Sequence, residues 1–256
     1  MKTKACLVGF ALLAAGSAQA GLFTNGGFET GNLSGWSQGG GSNYSGGQPP
    51  ISDYNGGLPN NTVVGAGVDA ITGASTVYSG ANAVRVNDGT QDYSVSTIYQ
   101  SVTNYTDNNI FFAWNAVLEE SHGLSDSDYF SLQLIDNTTN TVLVDRAYSS
   151  AGSIGAGTSG VTWTAFSGPW STWYSSGWIV ENIDLLALNA IGHDFTLSLL
   201  AADCPYGGHA GYAYLDGFGA KPPVQGPVNV PEPSSLLLFG LGLLGLVGVR
   251  RKVVGK

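Results

Sequence analysis

The side chains with the richest chemistry in this sequence fall in three short stretches. In Asp203-Cys204-Pro205-Tyr206-Gly207-Gly208-His209, a thiol and an imidazole stand close enough to share a transition-metal ion, or for the imidazole to take the thiol proton. Zinc usually takes three or four protein ligands, so a glycine-rich turn whose His caps a loop accounts better for one Cys and one His. In Glu119-Glu120-Ser121-His122 with Asp126 and Asp128, the acids are dense, but EF-hand spacing and its bidentate Glu are missing. That stretch reads as a solvated acidic loop. Glu119 and Glu120 cannot flank one glycosidic bond, because adjacent strand residues point to opposite faces. The third stretch holds Trp163, Phe166, Trp170, Trp173, Tyr174 and Trp178 among Ser, Thr and Gly. Exposed indoles offer flat apolar faces to sugar rings; the competing reading is burial in a core. Turn signals at Gly168-Pro169 and Ser175-Ser176-Gly177 favour a loop position, so Trp170 and Trp173 are the expected glycan-stacking residues. No nucleophile elbow, phosphate loop, zincin helix or dinucleotide fingerprint occurs, and no catalytic residue is assigned.

Both ends of the chain read as addresses. Lys2 and Lys4 precede an apolar run from Cys6 to Ala15, and Ala18-Gln19-Ala20 is a small-x-small cleavage site. That run is far shorter than the ~20 residues a membrane span needs, so residues 1–20 are expected to be a cleaved signal peptide. At the other end, Pro231-Glu232-Pro233 is followed by an uncharged Leu/Gly-rich run to Val249 and then by Arg250-Arg251-Lys252. A helix over about 234–249 would be roughly 24 Å long at ~1.5 Å per residue, a thin membrane span with its basic end on the cytoplasmic side. These residues resemble the sorting tail of PEP-CTERM proteins, which joins Pro-Glu-Pro to a short transmembrane helix and a basic end. The resemblance implies an exosortase as partner, tethering in the inner membrane through the tail before processing, and delivery to the cell surface or exopolysaccharide matrix.

Between the addresses the charge balance is lopsided. Only Arg85, Arg146 and Lys221 are basic within residues 21–230, against seventeen acids, a net of about −14. Such a surface repels phosphate backbones, so nucleic acid is excluded as a partner. It suits extracellular solubility and divalent cations. With Cys6 lost to processing, Cys204 stands alone and no intrachain disulfide can form.

Residues 21–220 are expected to form one all-β domain, a single jelly-roll-like sandwich flanked by the signal peptide and the transmembrane sorting helix. A Pro/Gly linker follows over 221–230, and the tail occupies 231–256. Phe130, Leu132 and Leu134 alternate with polar residues, as do Phe195, Leu197 and Leu199, which is the period of a strand with one buried face. Further strands are expected at 83–87, 93–102, 110–118, 141–148, 179–189 and 212–219. Gly39 to Gly67, rich in Gly, Asn and Ser, reads as long loops.

The start of this domain, Asn25-Gly26-Gly27-Phe28-Glu29-Thr30-Gly31-Asn32-Leu33-Ser34-Gly35-Trp36, resembles the opening of galactose-binding-like carbohydrate-binding modules. There an Asn-x-x-Phe-Glu strand turns through Gly into a buried Trp. Tyr212-Ala213-Tyr214-Leu215-Asp216-Gly217-Phe218 is similar to their last strand. The resemblance implies that first and last strands pair, that Glu29 and Asp216 meet, and that they hold a structural Ca²⁺. Two carboxylates supply only part of the six to eight oxygens Ca²⁺ takes, and acids capping turn amides are the alternative. The expected function is an exported, non-catalytic module that binds or organises extracellular glycan. A passive acidic matrix protein is the alternative, with a hydrolase behind both.

Overall fold

In a computed structural model, the structure describes residues 22–44, 49–123, 127–151, 160–168 and 171–226. They form twelve strands in two antiparallel sheets, with one 3-10 turn at Ile51–Tyr54 and no α-helix among the described residues. The strands are β1 (Ser37–Ser42), β2 (Asn61–Gly65), β3 (Asn82–Val86), β4 (Ser94–Val102), β5 (Asn109–Glu119) and β6 (Tyr129–Asp136). After them come β7 (Thr141–Ser149), β8 (Thr164–Ser167), β9 (Thr172–Ser175), β10 (Ile179–Asp184), β11 (Phe195–Ala202) and β12 (Gly211–Gly219). The smaller sheet runs β1-β4-β11-β6-β7. The larger runs β2-β3-β12-β5-β9-β8, with β10 sharing the far edge of β5. The molecule is thus the expected all-β, jelly-roll-like sandwich. The signal peptide and the sorting helix of 234–249 lie outside the described residues, and no helix among the described ones is long and apolar enough to cross a membrane.

Alternation places the core. Phe130, Leu132 and Leu134 stand opposite Ala201, Leu199 and Leu197 in register, so the apolar faces of β6 and β11 form one continuous buried surface. Trp114 of β5 reaches across from the other sheet to stack on Phe130 at 4.9 Å. This packing removes large apolar areas from water and joins the sheets.

Two segments depart from expectation. Asn25–Glu29 is a run of turns, closed by Phe28 N–H to Asn25 O (3.0 Å) and Gly31 N–H to Phe28 O (2.9 Å), with Phe28 itself at a left-handed φ of 57°. The first strand, β1, pairs β4 in the smaller sheet while β12 pairs β3 and β5 in the larger, so first and last strands do not pair. Phe28 and Trp36 still end up buried, stacked at 5.1 Å, with the Trp36 indole N–H on Asn25 O. The second departure is Gly39–Gly67, which contains most of β1, the 3-10 turn and β2 rather than loops alone. Its glycines hide a strand because backbone packs on backbone: a Cβ at Gly39 would lie 1.6 Å from the Tyr54 carbonyl oxygen.

The outer face of the larger sheet is also covered. Tyr212 and Tyr214 cluster there with Val117, Trp173 and Ala210 beneath the loop that carries Asp69. One Asp69 oxygen accepts both tyrosine hydroxyls at 2.8 Å, and the other accepts Thr72 N–H at 2.7 Å and Ile71 N–H at 3.1 Å. Asp69→Ala strands two buried hydroxyls and frees the loop, so urea denaturation is expected to show a loss of about 2 kcal/mol or more. A loss within the ordinary surface range of about 0.5 kcal/mol would contradict this role.

Candidate functional site

Glu29 and Asp216 converge on one loop, the backbone from Tyr78 to Asn82. Asp216 Oδ2 accepts the amides of Tyr78 (2.9 Å) and Ser79 (2.8 Å), and the Glu29 carboxylate accepts those of Ala81 (3.0 Å) and Asn82 (3.2 Å). Gly80 sits between them, where a Cβ would lie 2.2 Å from Glu29 Oε1. Amide capping, the alternative raised from the sequence, is therefore present. It leaves one oxygen over: Asp216 Oδ1 is buried and has no hydrogen-bond partner. Burial, with the Glu29 charge adding to it, pushes the Asp216 carboxyl up to about 7. An orphaned carboxylate oxygen beside a second carboxylate fits a hard, oxygen-seeking cation.

The aromatic stretch is built differently from expectation. Trp173 lies on β9, only 4% exposed, in the cluster with Val117, Ala210, Tyr212 and Tyr214. It offers no face to a sugar, which corrects its assignment as a stacking residue. The cause is that β8 and β9 extend the larger sheet through β5, which turns alternate side chains onto its covered face. Trp178 is tied there as well, its N–H on Ser75 O at 2.8 Å. Trp163 packs on Tyr148 at 5.4 Å. Trp170 lies outside the described residues.

Exposed aromatics gather elsewhere, at the end of the smaller sheet. Tyr44, just past β1, is 70% exposed, and Tyr206, in the β11–β12 connection, is 64% exposed. Half-buried Tyr93 lies between them, 5.0 Å from the Tyr44 ring and with its hydroxyl donating to Tyr206 O at 3.5 Å. Asn43 N–H on Tyr93 O (2.8 Å) fixes the first contact. None of these tyrosines sits in a periodic pattern, and their meeting depends on strand order.

Near the same end, Glu119 and Asp128 of the acidic stretch are buried clamps rather than parts of a solvated loop, and Asp203 is a third. Glu119 is buried, and its carboxylate accepts Ala210 N–H (2.9 Å), Gln91 Nε2 (2.9 Å) and the Ser171 hydroxyl. Asp128, fully buried, accepts Glu119 N–H at 2.7 Å and the Ser150 hydroxyl, and burial holds its carboxyl well above the usual range. Burial likewise raises Asp203 to about 8, where its carboxylate accepts Asn87 Nδ2 (2.9 Å) and Ser94 N–H (3.0 Å). Glu120, the residue after β5, is exposed beside buried Glu119. Asp126 lies outside the described residues. Cys204 is buried, and the structure brings it and His209 together with His122, a third residue that sequence separation hid.

A profile described as the PEP-CTERM protein-sorting motif matches residues 229–252. Comparison with curated proteins finds no match. Among solved structures, the chain is similar to TmCBM61 in complex with β-1,4-galactotriose, at 14% identity and a TM-score of 0.38, over 78% of this chain and 97% of that one. It is also similar to the xylan-binding domain from CBM 22, at 16% identity and 0.30, over 82% and 98%. A third is the K1 cleaved adhesin domain of Lys-gingipain from Porphyromonas gingivalis W83, at 10% identity and 0.30, over 70% and 94%. The sandwich architecture of this chain rests on its own strand pairing.

Proposed function

We propose that this chain, which carries a PEP-CTERM sorting motif, is an exported, non-catalytic module that binds extracellular glycan through the tyrosines at the end of its smaller sheet. The observation that carries the reading is the exposed pair Tyr44 and Tyr206 arranged about Tyr93. Rings held beside the strand ends and on the β11–β12 connection offer apolar faces, with hydroxyls at hand to orient a sugar. Exosortase acts on the tail, which tethers the protein in the inner membrane until processing delivers it to the cell surface or exopolysaccharide matrix. Glu29 and Asp216 would hold Ca²⁺ as a structural ion, neutralising two acids in a domain of net charge about −14.

Isothermal titration of the protein with a panel of soluble polysaccharides tests the binding. At least one glycan is expected to bind, and Tyr44→Ala combined with Tyr206→Ala should weaken it tenfold or more, about 1.4 kcal/mol, with the melting temperature unchanged. Equal affinity of wild type and variant would sink the assignment of the tyrosines. Failure of every glycan would favour the passive acidic role, for which the charge balance is the support.

A further inference from the structure

The β5–β6 and β11–β12 connections each cross from one sheet to the other, and at one end of the sandwich they bring three ligand-type side chains together. His122 Nδ1 lies 3.9 Å from Cys204 Sγ, and the rings of His122 and His209 stand edge to face with centroids 4.5 Å apart. The ligand atoms of all three residues fall within 4.8 Å of one another. On a tetrahedral zinc, with Zn–S of ~2.3 Å and Zn–N of ~2.0–2.1 Å, sulfur and nitrogen ligands sit about 3.6 Å apart. The His122–Cys204 pair is already near that separation, and small side-chain rotations close the rest.

Backbone contacts hold the three in place. Cys204 N–H donates to His209 O at 3.1 Å and Gly207 N–H to Cys204 O at 3.1 Å, which folds residues 204–209 into a tight loop. The next residue, Ala210, exchanges bonds with Glu119: its carbonyl accepts Glu119 N–H at 3.1 Å, and its amide donates to Glu119 Oε2 at 2.9 Å. The loop is thereby pinned to the end of β5, just before His122. Cys204 is buried, His209 half-buried and His122 exposed, so the group is closed toward the protein and open toward water. A thiolate with two imidazoles selects first-row transition metals over Ca²⁺ and Mg²⁺, which want oxygen.

We propose that His122, Cys204 and His209 bind one transition-metal ion of the Zn²⁺ class, with water in the fourth position. The ion ties together the two sheet-crossing connections through Cys204, the one cysteine among the described residues. This site shares no residue with Glu29 and Asp216, while Tyr206 of the proposed glycan surface lies on the same 204–209 loop.

The purified full chain, stripped by chelation and titrated with Co²⁺, tests it. The expected result is the visible spectrum of tetrahedral Co²⁺ with a near-ultraviolet thiolate charge-transfer band, both displaced by one equivalent of Zn²⁺ and untouched by Ca²⁺. Cys204→Ser should abolish the charge-transfer band. His122→Ala, which trims an exposed side chain, should weaken Zn²⁺ binding about tenfold or more while the chelated protein melts as wild type does. Absence of the thiolate band, or wild-type Zn²⁺ affinity in both His122→Ala and His209→Ala, would overturn the site.

Discussion

Trp173→Ala is expected to destabilise the domain by about 3–5 kcal/mol while leaving the glycan affinity of the folded protein unchanged. The indole is 4% exposed and packs against Tyr212 at 6.0 Å, with Val117 and Ala210 in the same cluster. Its removal leaves a cavity on the covered face of the larger sheet, over β5, that rigid strands cannot fill. The denaturation midpoint reports the loss. A variant that melts like wild type but loses glycan binding would instead return Trp173 to the surface role that its sequence setting suggests.

Calcium is expected to raise the melting temperature of the chelated protein by roughly 5–10 °C when present at a hundredfold excess over its Kd. Binding to the folded state alone then contributes about 2.7 kcal/mol, and a domain near 200 residues shifts by roughly 2–4 °C per kcal/mol. The source is the buried Asp216 Oδ1 without a hydrogen-bond partner, beside Glu29 on the same loop. In the cation-free protein, burial and the Glu29 charge disfavour ionised Asp216; a bound cation reverses that preference. Ca²⁺ should act more strongly than Mg²⁺, which dehydrates reluctantly, and Asp216→Asn should lose most of the response. General screening by salt would neither separate the two cations nor depend on one carboxylate. Identical melting of the chelated and calcium-loaded forms at equal ionic strength would remove the ion from the account.

What the sequence disclosed follows from how local each signal is. The alternation in β6 and β11 was readable because inward-facing Phe130, Leu132, Leu134, Phe195, Leu197 and Leu199 each sit two residues from the next. β1 was not, because its Gly39-Gly40-Gly41 core has no side chains to alternate and is held by packing against Tyr54 and Pro59. β8 and β9 are four residues each, too short for a period to show. The nearness of Glu29 and Asp216 was anticipated, but by a route the chain does not take: turns and the 78–82 loop bring them together, not paired terminal strands. The tyrosine group and the His122–Cys204–His209 group were hidden for one reason. Each joins residues from separate connections, and only the strand order decides which connections share an end. In the sequence His122 stands among acidic neighbours, whereas its partners lie beyond β11.

The central claim is that the exported domain engages glycan through Tyr44, Tyr93 and Tyr206. Its most direct test is retention of the purified protein on insoluble extracellular polysaccharide from the cells that export it, comparing wild type with the Tyr44→Ala, Tyr206→Ala double variant at matched calcium. The account predicts that wild type is retained and that the double variant, still folded by its melting curve, elutes with the unbound fraction. Equal retention of both proteins, or passage of both, would contradict it.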